Sequence, residues 1–355
     1  MSTPDPTRRM STKTVAAGAV ALGSLGLGTA LIYRFMPREL LNVVVGLGRT
    51  LAGLRRHSLM VQAHEVVYLA GGQGSPVVLL HGLGADKDSW FLLARHLTRY
   101  HRVIIPDLPG FGETGFRPEQ RYDVPAQLDR LNAFLDALGM RDFHLMGTSL
   151  GGLLGIGYAV RHPEQVRTLT LIAPAGVRAP NPSAVEREIL AGGMPLLPKT
   201  RADAEKLFDI FMAHPLRIPK RIKETLIQRV LRDAKVQTRV WRDLMAHPTT
   251  LEPYLDRVQV PTLLIWGEED KIIDPSAAEV YISRIPRVHL VLLPDCGHVS
   301  IIEKPAAVAG HFLQFAAIAE RLQRAQTRLE HTPSAAAERT DATDWRAGAK
   351  RLPHL

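Results

Sequence analysis

From residue 60 onward the chain alternates short apolar runs with longer stretches of helical character. The runs are Val66–Leu69, Val77–Leu80, Val103–Pro106, Phe143–Met146, Leu169–Ile172, Thr262–Trp266 and His289–Leu293. Most are four to six residues long and are followed by Gly, Pro or Asp, as expected for strands buried on both faces. Strands alternating with helices predict an α/β fold, a mostly parallel central sheet with helices on both faces. Between residues 177 and 257 the alternation stops. That segment reads as helices without a strand and is expected to be a helical insertion, a lid, rather than part of the sheet.

The N-terminal region follows another pattern. Thr14 to Tyr33 is an uncharged run, bracketed by Arg8, Arg9 and Lys13 before it and by Arg34 and Arg38 after it. At about 1.5 Å per helical residue it reaches about 30 Å, the thickness of a bilayer core. A cleaved leader is the rival reading, since Gly28-Thr29-Ala30 resembles a small-residue cleavage site and Arg8-Arg9 a twin-arginine signal. Beyond it, Leu40, Leu41, Val44, Leu47, Leu51 and Leu54 step at helical spacing among Arg38, Arg49, Arg55 and Arg56, as in a helix lying on a charged interface. The expected organisation is a membrane anchor and interfacial helix over 1–56, a catalytic body over 57–320 containing the insertion, and a disordered tail over 321–355.

Charge sharpens this picture. The chain carries a formal +9, yet residues 1–56 hold eight basic against two acidic residues, and residues 321–355 seven against four, while the body between them is neutral. A nucleic-acid groove needs its basic residues on the folded domain, so no nucleic-acid partner is expected. The positive ends point to a membrane surface. The insertion is itself basic, fifteen to ten, with Leu207, Phe208, Phe211, Met212, Leu216 and Ile218 near Arg217, Lys220, Arg221 and Lys223. That composition suits an anionic interface; the plainer alternative is that the apolar residues pack the insertion onto the body. Cys296 stands alone in the sequence, which excludes an internal disulfide framework and a cysteine-based metal cluster.

The chemistry centres on Gly147-Thr148-Ser149-Leu150-Gly151, a G-x-S-x-G sequence between an apolar strand and a glycine-rich helix start. A serine at such a sharp strand-to-helix turn is lifted out of the sheet toward substrate, and the helix N-terminus favours developing negative charge. A serine hydroxyl needs a base and an orienting acid. Downstream, Gly267-Glu268-Glu269-Asp270 and Asp295-Cys296-Gly297-His298 each follow a strand, giving the order Ser149, Asp270, His298 that this turn type uses. Asp274 is the competing acid, read instead as the cap of the next helix. Asp107 is read as part of a rigid turn, and His81 and His144 as turn or surface residues. Oxyanion donors are expected from the backbone of Leu150 and, in His81-Gly82-Leu83-Gly84, of Leu83. No cofactor or metal is expected.

With these residues in hand the chain resembles the α/β-hydrolase superfamily over about 57–318, and within it the membrane-anchored monoacylglycerol lipases and their bacterial lipase relatives. The resemblance rests on His81 to Trp90, Met146 to Gly152, Ala173-Pro174-Ala175-Gly176, Ile265 to Asp270, and Cys296-Gly297-His298 through Lys304-Pro305. It implies a serine hydrolase of lipid or small-molecule esters, acting through an acyl-enzyme at a membrane reached by a single N-terminal anchor. Serine at 149 departs from the aspartate nucleophile of related dehalogenases and epoxide hydrolases. Carbon–carbon bond hydrolases share the same three residue types and form the alternative, with a non-catalytic hydrolase-like receptor behind them. Removal of residues 1–56 is expected to leave activity on soluble esters intact.

Overall fold

The computed structural model describes residue 34, residues 36–246 and residues 250–330, the last five by backbone alone. Thr14–Tyr33 and the segment 331–355 lie outside the described residues. Eight strands form one sheet: β1 (Leu54–Val61), β2 (His64–Gly71), β3 (Ser75–Leu80), β4 (His101–Pro106), β5 (Phe143–Thr148), β6 (Val166–Ile172), β7 (Thr262–Gly267) and β8 (Val288–Leu293). Their order is β1-β2-β4-β3-β5-β6-β7-β8. β1 pairs antiparallel with β2 and β2 antiparallel with β4; every other pair is parallel.

All seven apolar runs became strands. β1 was hidden because it is an antiparallel edge strand, buried only at Leu54 and Val61, with Arg55, Arg56, His57 and Ser58 exposed between them. It therefore lacks the apolar run that marks an inner strand. The helical spacing through Leu54 is accordingly only partly helix. Helix α1 runs Pro37–Leu51, Gly53 turns the chain at φ 67°, and Leu54 opens the sheet. The body thus begins before residue 57.

The helices divide between the faces. α2 (Phe91–Leu97) and the long C-terminal helix (Pro305–Glu330) pack with Val77, Leu79, Val103, Ile105 and Ile265 on one face. α3 (Val124–Ala137), α4 (Leu150–Arg161) and α8 (Ala277–Arg284) pack with Val78, Leu80, Leu145, Leu171 and Leu264 on the other. Successive β3 residues alternate between the two cores, as the period of two requires. The segment between β6 and β7 is helical, with α5 (Ala184–Leu190), α6 (Arg201–Ile210), α7 (Lys220–Ala246) and a short 3-10 turn at Glu252–Arg257. α9 (Ser300–Glu303) leads into the final helix, α10, which continues through Glu330, ten residues into the stretch read from sequence as tail.

Because β3 neighbours both β4 and β5, the chain leaves β3 first to one side and later to the other. A crevice opens at such a reversal, beyond the carboxyl ends of the strands. The loop after β3 and the turn after β5 meet there.

Candidate active site

Ser149 sits between β5 and α4 with φ 53° and ψ −116°. A side chain at positive φ is strained and persists only where its surroundings hold it. Here they do: the Ser149 amide donates to Ile172 O at 3.0 Å, and the Ser149 carbonyl accepts from Gly152, Leu153 and Ala175. Glycine is required on both sides of the turn. A Cβ at Gly147 would lie 2.1 Å from Gly151 O, and one at Gly151 would lie 2.1 Å from Leu80 O. A Cβ at Gly82 would meet Ser149 Cβ at 3.2 Å and its Oγ at 3.8 Å, so the turn after β3 lies directly against the serine. Leu83, the expected oxyanion donor, is the next residue after Gly82, and Leu150 is the next after Ser149.

His298 and Asp270 are both buried, and His298 Nδ1 is 2.7 Å from Asp270 Oδ2. The carboxylate also accepts the amides of Ile272 at 2.8 Å and Ile273 at 3.1 Å, and the Trp266 indole at 3.2 Å. With these donors on its oxygens, the carboxylate is the acceptor that fixes the imidazole tautomer, with the Nδ1 proton facing the acid. Asp274 instead accepts the Ser276 amide at 2.9 Å, just ahead of α8. It is a turn residue.

The two loops bearing acid and base are stitched together by groups that sequence reading passed over. Glu269 accepts the amides of Cys296 at 2.6 Å and Asp295 at 3.2 Å, and Gly267 is packed against the carbonyls of Cys296 and Gly297. Glu303 accepts Gly297 N at 3.0 Å and, from the insertion, Ala213 N at 2.8 Å. The His298 amide donates to Phe211 O at 2.9 Å, and the Phe211 ring lies 5.9 Å from the imidazole. The insertion is thus joined to the histidine loop. Its apolar residues divide accordingly: Leu207 is buried and Lys223 lies over the Phe208 ring, while Leu216 is exposed. The burial of Cys296 pushes its thiol up to about 12, so it is no nucleophile.

His81, His144 and Asp107 are all fully buried: His81 and Asp107 lie in loops after β3 and β4, as read, but with their side chains in the interior, while His144 is on β5 and is neither a turn nor a surface residue. His81 Nε2 accepts the Leu108 amide at 3.0 Å. Asp107 binds the Lys87 ammonium at 3.0 Å and the amides of Lys87 and Glu113, both at 2.7 Å. Lys87 is 1% exposed. Burial alone opposes its charge, but the carboxylates of Asp107, Glu113 and Asp88 around it prevail and hold the ammonium more tightly than in free lysine. No spacing rule predicts such a network, because its members come from separate loops. A cavity of about 630 Å³ opens between α1, α7 and the Gly110–Phe116 loop. Neither Ser149, Asp270 nor His298 lines it.

A strained serine elbow at the sheet's reversal point and a buried acid–imidazole pair on the loops after β7 and β8 point to one class, and the comparisons with known proteins agree. Residues 77–311 match the model of the alpha/beta hydrolase family, and the chain belongs to that family. It is a carboxylic ester hydrolase by class. It is 32% identical to Lipase 1 of Psychrobacter immobilis over 269 residues, 74% of this chain and 83% of that protein. It is 24% identical to monoacylglycerol lipase ABHD6 of Homo sapiens over 317 residues, 85% of this chain and 94% of that one. The crystal structure of a membrane phospholipase A described as a bacterial virulence factor aligns with a TM-score of 0.78 at 36% identity, covering 87% of this chain and 99% of that one.

Proposed function

We propose that the protein hydrolyses lipid carboxylic esters, monoacylglycerols or similar single-chain esters foremost, through a Ser149–His298–Asp270 triad. The observation that carries the reading is the 2.7 Å contact of the buried His298 Nδ1 with Asp270, in a chain that also holds Ser149 at positive φ between β5 and α4. Ser149 Oγ attacks the ester carbonyl carbon and gives its proton to His298 Nε2. The resulting oxyanion accepts from the Leu83 and Leu150 amides, with the α4 N-terminus behind it. Collapse expels the alcohol, which takes the proton back from His298. Water then attacks the acyl-enzyme with His298 again as base, releasing the fatty acid and restoring Ser149. Asp270 stabilises the imidazolium at both stages.

A membrane setting is supported by three things: the uncharged run Thr14–Tyr33, an exposed apolar stripe on α1, and the membrane phospholipase and monoacylglycerol lipase among the matches. Among the described residues no helix is long and apolar enough to cross a membrane; the proposed anchor lies ahead of them. The test is fatty-acid release from monoacylglycerol, phospholipid and a ring-cleavage dienoate, together with fluorophosphonate labelling. Wild type is expected to cleave the monoacylglycerol and to be labelled once; Ser149→Ala does neither. Turnover of the dienoate without any ester activity overturns the reading.

A further inference from the structure

The segment from His81 to Asp88, which contains Leu83, is held from four directions. His81 accepts the Leu108 amide at 3.0 Å, and the Lys87 amide donates to Asp107 Oδ1 at 2.7 Å. The adjacent residues Asp107 and Leu108 thereby fasten both ends of the loop. The Lys87 ammonium reaches Asp107 at 3.0 Å and Glu113 at 2.7 Å, with Asp88 at 3.6 Å. From the insertion, Arg229 on α7 binds Asp86. From α1, Arg49 grips Asp88 through two parallel bonds, Nε–Oδ1 and Nη2–Oδ2, both 2.6 Å.

We propose that Arg49 is a positioning residue for the oxyanion loop: its bidentate grip on Asp88 leaves Lys87 committed to Asp107 and Glu113, and so fixes the Leu83 amide. The inference rests on the triad and oxyanion reading given above. Four carboxylates, Asp86, Asp88, Asp107 and Glu113, crowd this corner. A buried carboxylate stripped of its guanidinium seeks the nearest cation, and for Asp88 that is Lys87. Drawn toward Asp88, Lys87 slackens its hold on Asp107 and moves the loop whose amide must meet the developing oxyanion. Arg49 occupies the inner side of α1, while the outer side carries the apolar stripe. One helix therefore links the surface that faces lipid to the site of charge development. The planar fork of arginine is needed for both bonds at once; lysine keeps the charge and only one bond.

The test uses the full chain and a soluble short-chain nitrophenyl ester, with kcat, KM, fluorophosphonate inactivation rate and melting temperature measured for each variant. In Arg49→Met, kcat is expected to fall about tenfold or more with KM within about twofold, because a displaced oxyanion donor acts on the transition state and not on binding. Fluorophosphonate inactivation slows in parallel, since its phosphoryl oxygen uses the same donors. Arg49→Lys is intermediate. The double variant Arg49→Met/Asp88→Asn recovers part of the loss, because the carboxylate that competes for Lys87 is gone. A packing role alone predicts no such recovery. Wild-type kcat in a folded Arg49→Met, or a double variant no better than the single, overturns the proposal. If Arg49→Met does not fold, Arg49→Lys decides: lowered kcat at constant KM supports the role, and unchanged kcat removes it. Loss of labelling in Ser149→Ala is measured in the same series. If that variant is still labelled, the triad reading fails; if labelling is lost while Arg49→Met keeps full kcat, only the positioning role fails.

Discussion

Ser149 holds its strained backbone because three amides bind its carbonyl and its own amide is bound by Ile172. Strain kept at that point leaves the hydroxyl fixed before substrate arrives. In the proposed triad Asp270 acts at one remove, through the imidazole tautomer. Asp270→Asn keeps the size of the side chain, but its amide nitrogen cannot accept the Nδ1 proton. We expect kcat on a soluble ester to fall about 10⁴-fold with KM little changed. Asp274→Asn should stay near wild type, since the Asp274 carboxylate accepts the Ser276 amide of its own turn and the Asn oxygen can do the same. Steady-state kinetics of the two variants checks this, and a larger loss in Asp274→Asn would reassign the acid. At this scale the sequence pattern reached far: the serine turn and the acid and histidine that the structure joins were each legible from a strand end followed by a turn. Lys87, Asp107, Glu269 and Glu303 were not. A buried charge looks the same in a sequence as a solvated one, and only its partners, brought in from other loops, reveal it.

Helix α1 shows how an element can be read correctly in kind and misjudged in consequence. Met36, Leu40, Val43, Val44, Leu47 and Leu51 share one face at helical spacing, and all but the half-buried Leu40 are exposed. A face of that character suits the acyl boundary of a bilayer. We expect Val44→Gln/Leu47→Gln to lower partition onto vesicles in a flotation assay while activity on a soluble ester stays unchanged. Truncation divides at α1. Removing residues 1–35 should spare soluble-ester activity. Removing residues 1–56 should not, because it deletes Arg49, the buried Ala52 and Leu54, and the first three residues of β1. That corrects the expectation drawn from the apolar spacing, which ran on through Leu54 and hid the strand start. Equal activity of the two truncated forms would show that β1 and the Arg49 contact are dispensable.

Across the whole molecule, the C-terminal helix is tied to the sheet by a polar cluster at the opposite end of β5 from Ser149. Glu320 on α10 accepts from Ser75 Oγ at 2.7 Å, Arg167 at 3.1 Å and His144 Nε2 at 3.3 Å, and His144 Nδ1 faces Thr168 Oγ1 at 2.7 Å. The His101 ring lies 5.5 Å from that of His144, and Asp142 pairs with Arg167. Burial, with smaller contributions from His101 and Arg167, pushes His144 down to about 4 although Glu320 opposes the shift. Burial works against the Glu320 charge, but the hydrogen bonds from Ser75 and His144 and the nearby Arg167 hold it down to about 2. As pH falls from 6.5 toward 4, the unfolded chain protonates residue 144 while the native fold refuses the proton, so stability declines. From 4.5 toward 2 the same holds for Glu320. Denaturant unfolding between pH 7 and 4 should therefore show stability rising with pH. His144→Gln should reduce that slope by about one proton, leaving the contribution of His101, whose burial lowers it in the same direction. An unchanged slope would assign the window to other groups.

What the sequence determined by itself was the periodic part: seven of the strands, the helical insertion and the glycine-framed serine. These follow from local rules, the alternation of a buried sheet and the steric demand for glycine where α4 approaches β5 and Leu80 within 2.1 Å of an added Cβ. Tertiary structure alone decided the rest. It placed β1 at an edge where five of its eight residues meet water, seated the insertion on the histidine loop through Phe211, and gathered Arg49, Asp88, Lys87 and Asp107 around the turn after β3. Each of these depends on residues tens of positions apart meeting in a low-dielectric interior, where a charge persists only if another segment supplies its partner. Local pattern carries no record of that meeting.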